Sequence, residues 1–291
     1  MLRTEPESLA NLHHSPEEIL RHPGFPSARR AFVDAILGLY ENDVFLNRLL
    51  IEAGRHVVFM MLICMHARYR EDDRSTWPTM GRLKEAMLQF DLSSSRRIEG
   101  LVARLVHHRF IQSAPSPLDG RVRILSPLDE MLERDADWLV AHYRPLQILY
   151  PEPGYPQILR RDRSFQKAHR SIAWDFAGHG AQILASNPDM MLFMSRDVGM
   201  MVLMKLIQTV GAEPEETSVR LSFAEIGERF GATRTHVRVI LQDAEKVGLV
   251  DLSGNQVTLR RRIWRAFDSF IANSMAGHDL LYKLVAEEAN G

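Results

Sequence analysis

Residues 222–259 read SFAEIGERFGATRTHVRVILQDAEKVGLVDLSGNQVTL, and the order of patterns within this stretch decides the predicted fold. Ser222 and Glu225 form a capping box for a short amphipathic helix, and Gly231 supplies the tight turn after it. Thr233 is placed to cap a second helix, which leads into two strand-like runs joined by a turn. This order predicts a helix-turn-helix followed by a wing.

The second helix of this stretch has two faces of different character. When it is projected at about 100° per residue, its apolar residues fall on one side. The opposite side carries polar and cationic residues. Arginine can bind guanine bidentately in the major groove, and threonine can contact phosphate or a thymine methyl group. We therefore expect DNA contacts from Thr233, Arg234, Thr235, Arg238 and Gln242, the alternative being that these are ordinary solvated helix positions.

The same template occurs 139 residues earlier, where Ser95 stands in the place of Arg234 (234 against 95). Here the face is less basic, because Glu99 occupies the position of Arg238 and would repel phosphate. We expect phosphate contacts from the helix and insertion of a wing arginine into the minor groove to supply most of its affinity. The candidate residues of this copy are Ser95, Arg96, Arg97, Arg104 and Arg121.

Charge is segregated along the chain rather than uniform. The whole chain has a formal net charge of -1 and a pI near 6.9, which argues against a globally basic nucleic-acid binder. Residues 93–126 contain six arginines against two acids, and residues 229–262 contain seven basic residues against three acids, so each segment carries +4. Acids concentrate elsewhere, as in residues 129–137. This distribution suits a protein with two basic faces.

Part of the first copy resembles the MarR family of winged-helix regulators. Asp119-Gly120-Arg121, followed by residues 122–127 (VRILSP), is similar to the wing and second strand of that family, in which an Asp-x-Arg pair braces the wing. The resemblance covers roughly residues 46–143, whereas the second copy lacks the Asp-x-Arg pair. It implies a transcriptional regulator, often a ligand-responsive repressor. Two units in one chain depart from that family, in which two identical chains pair.

We therefore predict a mainly α protein in which two winged helix-turn-helix units, each with a small β-hairpin, are joined by a helical connector. The predicted parts are an N-terminal arm and docking helix (1–45), a first winged-helix domain (46–145), the connector (146–196) and a second winged-helix domain (197–291). Three local expectations accompany this division. The first 25 or so residues form a loosely packed arm, residues 44–69 form one long buried helix, and Pro145 interrupts the helix that opens near Pro127.

Composition and motifs narrow the class of protein. A single cysteine, Cys64, excludes an internal disulfide and a multi-cysteine zinc site, which favours a reducing compartment. The first 22 residues lack the apolar core of a secretory signal, and the longest apolar run is nine residues where a membrane span needs about 20. Motifs for phosphate loops, zinc proteases and nucleophile elbows are absent from the sequence. We expect a cytoplasmic protein that is not an enzyme, has no cofactor and contacts no membrane.

The leading hypothesis is a sequence-specific transcriptional regulator whose partner is double-stranded DNA. Two other interpretations stay open. One is a winged-helix module for protein–protein interaction, since winged helices also occur in complexes that never touch DNA. The other is a plasmid replication initiator, which also uses paired winged units. A small-molecule effector and a homodimer are further expected partners. The sequence leaves open whether the fused units imitate a dimer within one chain, or whether chains pair and only one unit per chain touches DNA.

Overall fold

The computed structural model describes residues 12–41, 43–211 and 218–290, and it is mainly helical, as expected. The N-terminal half contains α1 (Pro16–Arg21), α2 (Phe25–Tyr40), α3 (Val44–Leu50), α4 (Ala53–Ala67), α5 (Met80–Met87), α6 (Ser95–His107), β1 (Ile111–Pro115), β2 (Arg123–Pro127) and α7 (Asp129–Leu149). The connecting region contains α8 (Pro156–Leu159), α9 (Arg163–Asp175), α10 (Ala177–Ala185) and α11 (Pro188–Met194). The C-terminal part contains α12 (Gly199–Val210), β3 (Ser218–Arg220), α13 (Phe223–Phe230), α14 (Arg234–Lys246), β4 (Val250–Ser253), β5 (Gln256–Leu259) and α15 (Arg261–Asn290).

Two segments share one order of elements, namely three helices followed by an antiparallel hairpin. We call residues 53–127, from α4 to β2, the first unit, and residues 199–259, from α12 to β5, the second unit. The third helices, α6 and α14, begin and end at the spacing that the sequence predicts, since 234 minus 95 and 246 minus 107 are both 139. The predicted repeat is therefore confirmed at the level of element order and of these helix bounds.

The sheets are small and antiparallel. In the first unit, β1 pairs with β2 so that Ile111 lies opposite Pro127. In the second unit, β5 lies between β3 and β4. The strand β3 is absent from the sequence-based prediction, because three residues give too short a pattern to recognise. In the first unit no third strand is formed in the described residues, but the Leu125 N–H of β2 donates a hydrogen bond to the Pro78 carbonyl at 2.8 Å.

The two units do not have separate cores. Each hairpin is followed by a long helix, and these two helices, α7 and α15, pack against each other. The docking helix α2 packs on α7 and also on α12, while α9 packs on α4 and α15. Buried side chains of both units consequently belong to one continuous apolar cluster, in which Leu62, Leu105, Phe230 and Phe267 are completely removed from solvent. The relative position of the units is thus set by packing rather than by a tether.

Three local expectations are wrong. Residues 44–69 form two helices, because α3 and α4 meet at an 83° bend rather than continuing as one helix. The helix α7 continues through Pro145 to Leu149, since its length and burial outweigh the one hydrogen bond that proline removes. The arm is not loosely packed from residue 12 onward: α1 carries the fully buried Ile19 and packs on α15. Residues 1–11 of the expected arm lie outside the described residues.

Within the described ranges, no single helix is long and apolar enough to cross a membrane, and the α3–α4 pair reaches that length only across its 83° bend.

Candidate nucleic-acid interface

The helix α14 is fixed at its start by its cap and by the turn before it. The Thr233 hydroxyl oxygen accepts a hydrogen bond from the His236 backbone N–H at 3.1 Å, which confirms the predicted cap. Gly231 adopts a left-handed conformation with φ of 77°, and a Cβ at this position would lie 2.7 Å from the Val44 side chain of α3. Only glycine therefore fits this turn, and α3 holds the turn from outside.

Burial of the inner face sets the roll of α14. Val237, Ile240 and Leu241 are completely buried, so the opposite face must point to solvent. Thr233, Arg234, Thr235 and Arg238 are exposed, and Gln242 is half-buried. The structure thus brings the five expected contact residues of this unit together on one outer surface.

Arg234 and Arg238 have no acidic partner among the described residues, and the same holds for the exposed Arg220 of β3. Other basic side chains nearby are held in ion pairs: Lys246 with Asp243, Arg229 with Glu41 and Glu225, Arg260 with Asp251, and Arg262 with Asp189. The net charge counted along the sequence therefore overstates the free positive charge of this unit. Two of the cations that remain unneutralised, Arg234 and Arg238, lie on the outer face of α14.

The helix α6 presents a second set of cations. Ser94 caps it by accepting a hydrogen bond from the Arg97 backbone N–H at 3.4 Å, which leaves Ser95 as the first helical residue. Ser95, Arg96, Arg97 and Arg104 are exposed. Among the residues that the structure describes, Arg96 and Arg104 have no ion-pair partner, whereas Arg97 lies 3.5 Å from the buried carboxylate of Glu52.

Glu99 does not act as the free negative charge that the sequence suggests. Its carboxylate pairs with the ammonium group of Lys84, which projects from the preceding helix α5. This pair neutralises the charge that would otherwise repel phosphate from the centre of α6. The remaining positions of that face are small, Gly100 and Ala103, so α6 offers a flatter surface than α14.

Arg121 lies at the tip of the first hairpin with 92% of its side chain exposed. Its Nε and Nη2 donate to the Asp119 carboxylate at 3.2 and 3.4 Å, and its backbone N–H donates to the same group. Asp119 also accepts from Arg74, so both arginines hold its pKa below the usual range, chiefly through the hydrogen bonds from Arg121. The Asp-x-Arg contact inferred from the resemblance is present, and it orients Arg121 without burying it.

A chain of polar contacts connects the starts of α6 and α14. Arg97 and Arg55 both lie 3.5 Å from the Glu52 carboxylate at the start of α4. Arg55 in turn pairs with the carboxylate of Asp197, and the backbone carbonyl of Asp197 accepts a hydrogen bond from His236 Nε2 at 2.9 Å. We call Glu52, Arg55 and Asp197 the bridge. Three side chains thus join the first turn of one exposed cationic helix to the first turn of the other.

The electrostatics of the bridge show that it lies within a positive environment. Partial burial lowers the pKa of the Arg55 guanidinium, Glu52 opposes this shift, and the nearby charges of Arg104 and Arg97 add to it. This like-charge repulsion requires Arg55, Arg97 and Arg104 to lie close to one another. An incoming polyanion would relieve that repulsion.

The sequence gives no sign of the bridge. Arg55 and Asp197 are 142 positions apart (197 minus 55), and neither belongs to a recognisable motif. His236 is visible as part of the second helix, but its ring contact is made to a backbone carbonyl, which any residue at position 197 would supply. Only the packing of the two units reveals that these groups meet.

Within the described part of the chain, no cluster of three or more histidine, cysteine or acidic side chains is arranged to hold a metal ion. Comparison of the chain with protein-family models, with curated proteins and with solved structures gave no match.

Proposed function

We propose that this protein is a cytoplasmic, sequence-specific DNA-binding transcriptional regulator whose two units are winged helix-turn-helix heads. The observation that carries the proposal is the pair Arg234 and Arg238, which are exposed on the outer face of a capped helix and have no acidic partner in the part of the chain that the structure describes. A guanidinium in that position can bind the O6 and N7 atoms of guanine in the major groove. We assign base contacts to α14 and mainly phosphate contacts to α6.

The order of elements supports the identification of the heads. Each unit runs through three helices into a hairpin, and the middle position of β5 between β3 and β4 brings the hairpin back beside the start of the second unit. In a winged helix-turn-helix the third helix enters the major groove and the hairpin lies over the adjacent backbone. Arg121, at the tip of the first hairpin, is then in the position of a minor-groove contact.

The bridge favours one continuous DNA site for a single chain. Two heads on a flexible tether could bind sites at many spacings, whereas here the shared core sets the separation of α6 and α14, and Glu52, Arg55 and Asp197 connect their first turns. Because the two outer faces differ in sequence, the site that they would read is asymmetric. A homodimer and a small-molecule effector remain proposed partners alongside DNA.

Replacing both arginines tests the proposal. A duplex is first selected from a randomised pool with the full chain, and binding is measured by mobility shift and fluorescence anisotropy. We expect Arg234→Ala with Arg238→Ala to weaken binding by about 2–6 kcal/mol, since each bidentate arginine contact contributes about 1–3 kcal/mol. The slope of log affinity against log salt should also become shallower if either arginine contacts phosphate.

A matched control is available in Arg144→Ala with Arg265→Ala, because these two exposed arginines on α7 and α15 likewise have no acidic partner among the described residues. This control variant loses the same charge but should bind as the wild type does. Equal loss in both variants would show non-specific attraction only. Full retention of binding by the Arg234/Arg238 variant would move the interface elsewhere and favour a protein-interaction module.

A further inference from the structure

Val239 is an apolar side chain on the outer face of α14. It is 41% exposed, whereas its neighbours Val237 and Ile240 are completely buried. Helical spacing places it one turn beyond Thr235 and one turn before Gln242, and it follows Arg238 directly. It is therefore an apolar group within the surface to which base contacts are assigned above.

The surroundings of Val239 indicate what kind of partner covers it. An apolar protein patch would be expected to continue into further apolar residues, but here the flanking side chains are polar: Thr235 and Arg238 are exposed, Gln242 is half-buried, and the charge of Asp243 is paired with Arg196 and Lys246. The two arginines of this face have no acidic partners among the described residues, so the complementary surface is negatively charged. Among polyanions, duplex DNA is the one that offers an isolated apolar group next to hydrogen-bonding base edges, namely the C5-methyl group of thymine.

We propose that Val239 contacts a thymine C5-methyl group in the major groove and so determines specificity for that base. This inference rests on the proposed DNA-binding function and names one further base contact within it. The isopropyl group would bury the methyl while Arg238 and Gln242 bind the edges of adjacent bases. Val239 is thus a specificity residue rather than a source of general affinity.

The first unit lacks this contact. At the same spacing of 139, the position in α6 is Gly100 (239 against 100), and a Cβ placed there would meet nothing within 4 Å. The space in front of α6 is open, but no side chain fills it. Recognition of the thymine methyl group should therefore come from α14 alone, which makes the two heads unequal in what they read.

Replacing thymine by uracil tests the inference, because it removes only the methyl group. Each thymine of the selected duplex is changed to uracil in turn, and affinities of the full-length protein are measured for every duplex. We expect the affinity of the wild type to fall about three- to fivefold at one or two positions. This is the effect of losing the burial of a group about the size of one methylene. Val239→Ala should bind thymine and uracil duplexes equally at those positions.

Val247→Ala is the matched control, since Val247 is 45% exposed at the far end of the same helix. This variant should retain the wild-type preference for thymine, and circular dichroism should show that both variants keep their helix content. The inference is overturned if Val239→Ala keeps the full preference for thymine over uracil, or if the wild type binds every thymine and uracil duplex equally. Those results leave the proposed function intact, whereas failure to enrich any duplex would overturn both.

Discussion

At the scale of single residues, Asp135 and Arg170 form an ion pair that is almost completely removed from solvent. The Arg170 guanidinium donates to both carboxylate oxygens, with Nη2 at 2.6 Å from Oδ1, and Gln166 donates to Oδ2 at 2.7 Å. The side chains are 3% and 0% exposed. The pair joins α7 to α9, so it ties the helix after the first unit to the connecting region.

Removing one partner of this pair should lower the free energy of unfolding far more than removing both. We expect Arg170→Met to lower the free energy of unfolding by about 3–5 kcal/mol, because Asp135 would be left as a buried, unpaired charge. The double variant Asp135→Leu with Arg170→Met should recover most of that loss. Urea unfolding followed by circular dichroism measures both effects. A double variant as unstable as the single one would mean that packing, rather than the unpaired charge, causes the loss.

The sequence predicts the exposed arginines better than it predicts their partners. The helical projection correctly places Arg234 and Arg238 on the outer face of α14. The charge count over residues 229–262 assigns Arg229 and Arg262 to the same basic face, although these are neutralised by Glu41 and Asp189 from distant parts of the chain. Local sequence reports which face a residue occupies, whereas its ion-pair partner depends on tertiary packing.

At the scale of elements, the turn between α13 and α14 combines two demands on one residue. Gly231 needs a positive φ of 77°, and any side chain there would collide with Val44. Gly248, just beyond α14, has a similar φ of 73° but open space around it. Substitutions at the two glycines therefore distinguish the cost of a positive φ, which both share, from the cost of the collision with Val44, which only Gly231 has.

We expect Gly248→Ala to destabilise the protein by about 1 kcal/mol, the cost of a left-handed conformation for a residue with a side chain. Gly231→Ala should cost clearly more, because α3 must also shift away from the turn. Thermal unfolding of the two variants gives the comparison. Equal losses would show that α3 yields freely and does not hold the turn.

The helices and strands also show which features local sequence predicts and which it misses. The cap at Thr233 is confirmed, since capping depends on local chemistry. The bend between α3 and α4 is missed because both helices are apolar, and hydrophobicity alone does not mark a change of direction. The missed third strand and the continuous helix through Pro145 are likewise consequences of neighbours that the local pattern does not contain.

At the scale of the whole molecule, a buried polar cluster joins the two long helices to the connecting region. Tyr143 of α7 donates to the carbonyl of His278 at 2.7 Å and lies 2.8 Å from His169 Nε2, so His169 carries its proton on Nε2. His142 stacks on Trp138 and contacts the ring of His278. These three histidines, from α7, α9 and α15, are at most 8% exposed.

The cluster predicts acid sensitivity near neutral pH. Burial, with a contribution from the charge of Arg170, lowers the pKa of His142, His169 and His278 well below the usual histidine value of about 6.5, so all three are neutral in the folded protein. Below pH 6.5 the unfolded chain binds protons that the folded chain does not, and stability falls as pH falls. Each histidine should cost about 1.4 kcal/mol per pH unit in that range.

Urea unfolding at pH 7.5, 6.5 and 5.5 measures this effect. We expect a decrease of about 4 kcal/mol between pH 7.5 and 5.5 for the three histidines together. His142→Phe should remove about one third of that dependence, while replacing the exposed His107 by alanine should leave it unchanged. A free energy of unfolding that stays constant over this range would contradict the neutral, buried state of the cluster.

Like the histidine cluster, the arrangement of the two units depends on residues far apart in the chain, so it could not be predicted from the sequence. The repeat indicates two similar heads, but it contains no information on how they face each other. That information lies in the bridge and in the packing of α7 on α15, both of which join residues far apart in the chain. The proposed binding of α6 and α14 to one duplex therefore depends on tertiary contacts.

Site-specific photo-crosslinking tests whether one duplex contacts both helices. A photoreactive amino acid replaces Gly100 on α6, Val239 on α14, or the control residue Arg144 on α7, so that the arginines assigned to DNA contact are kept, and each protein is irradiated with the selected duplex. We predict crosslinks from positions 100 and 239 to the same duplex in a complex of one chain per DNA, with only background from position 144. Background crosslinking at position 239, or crosslinking at 239 without any at 100, would contradict the proposal.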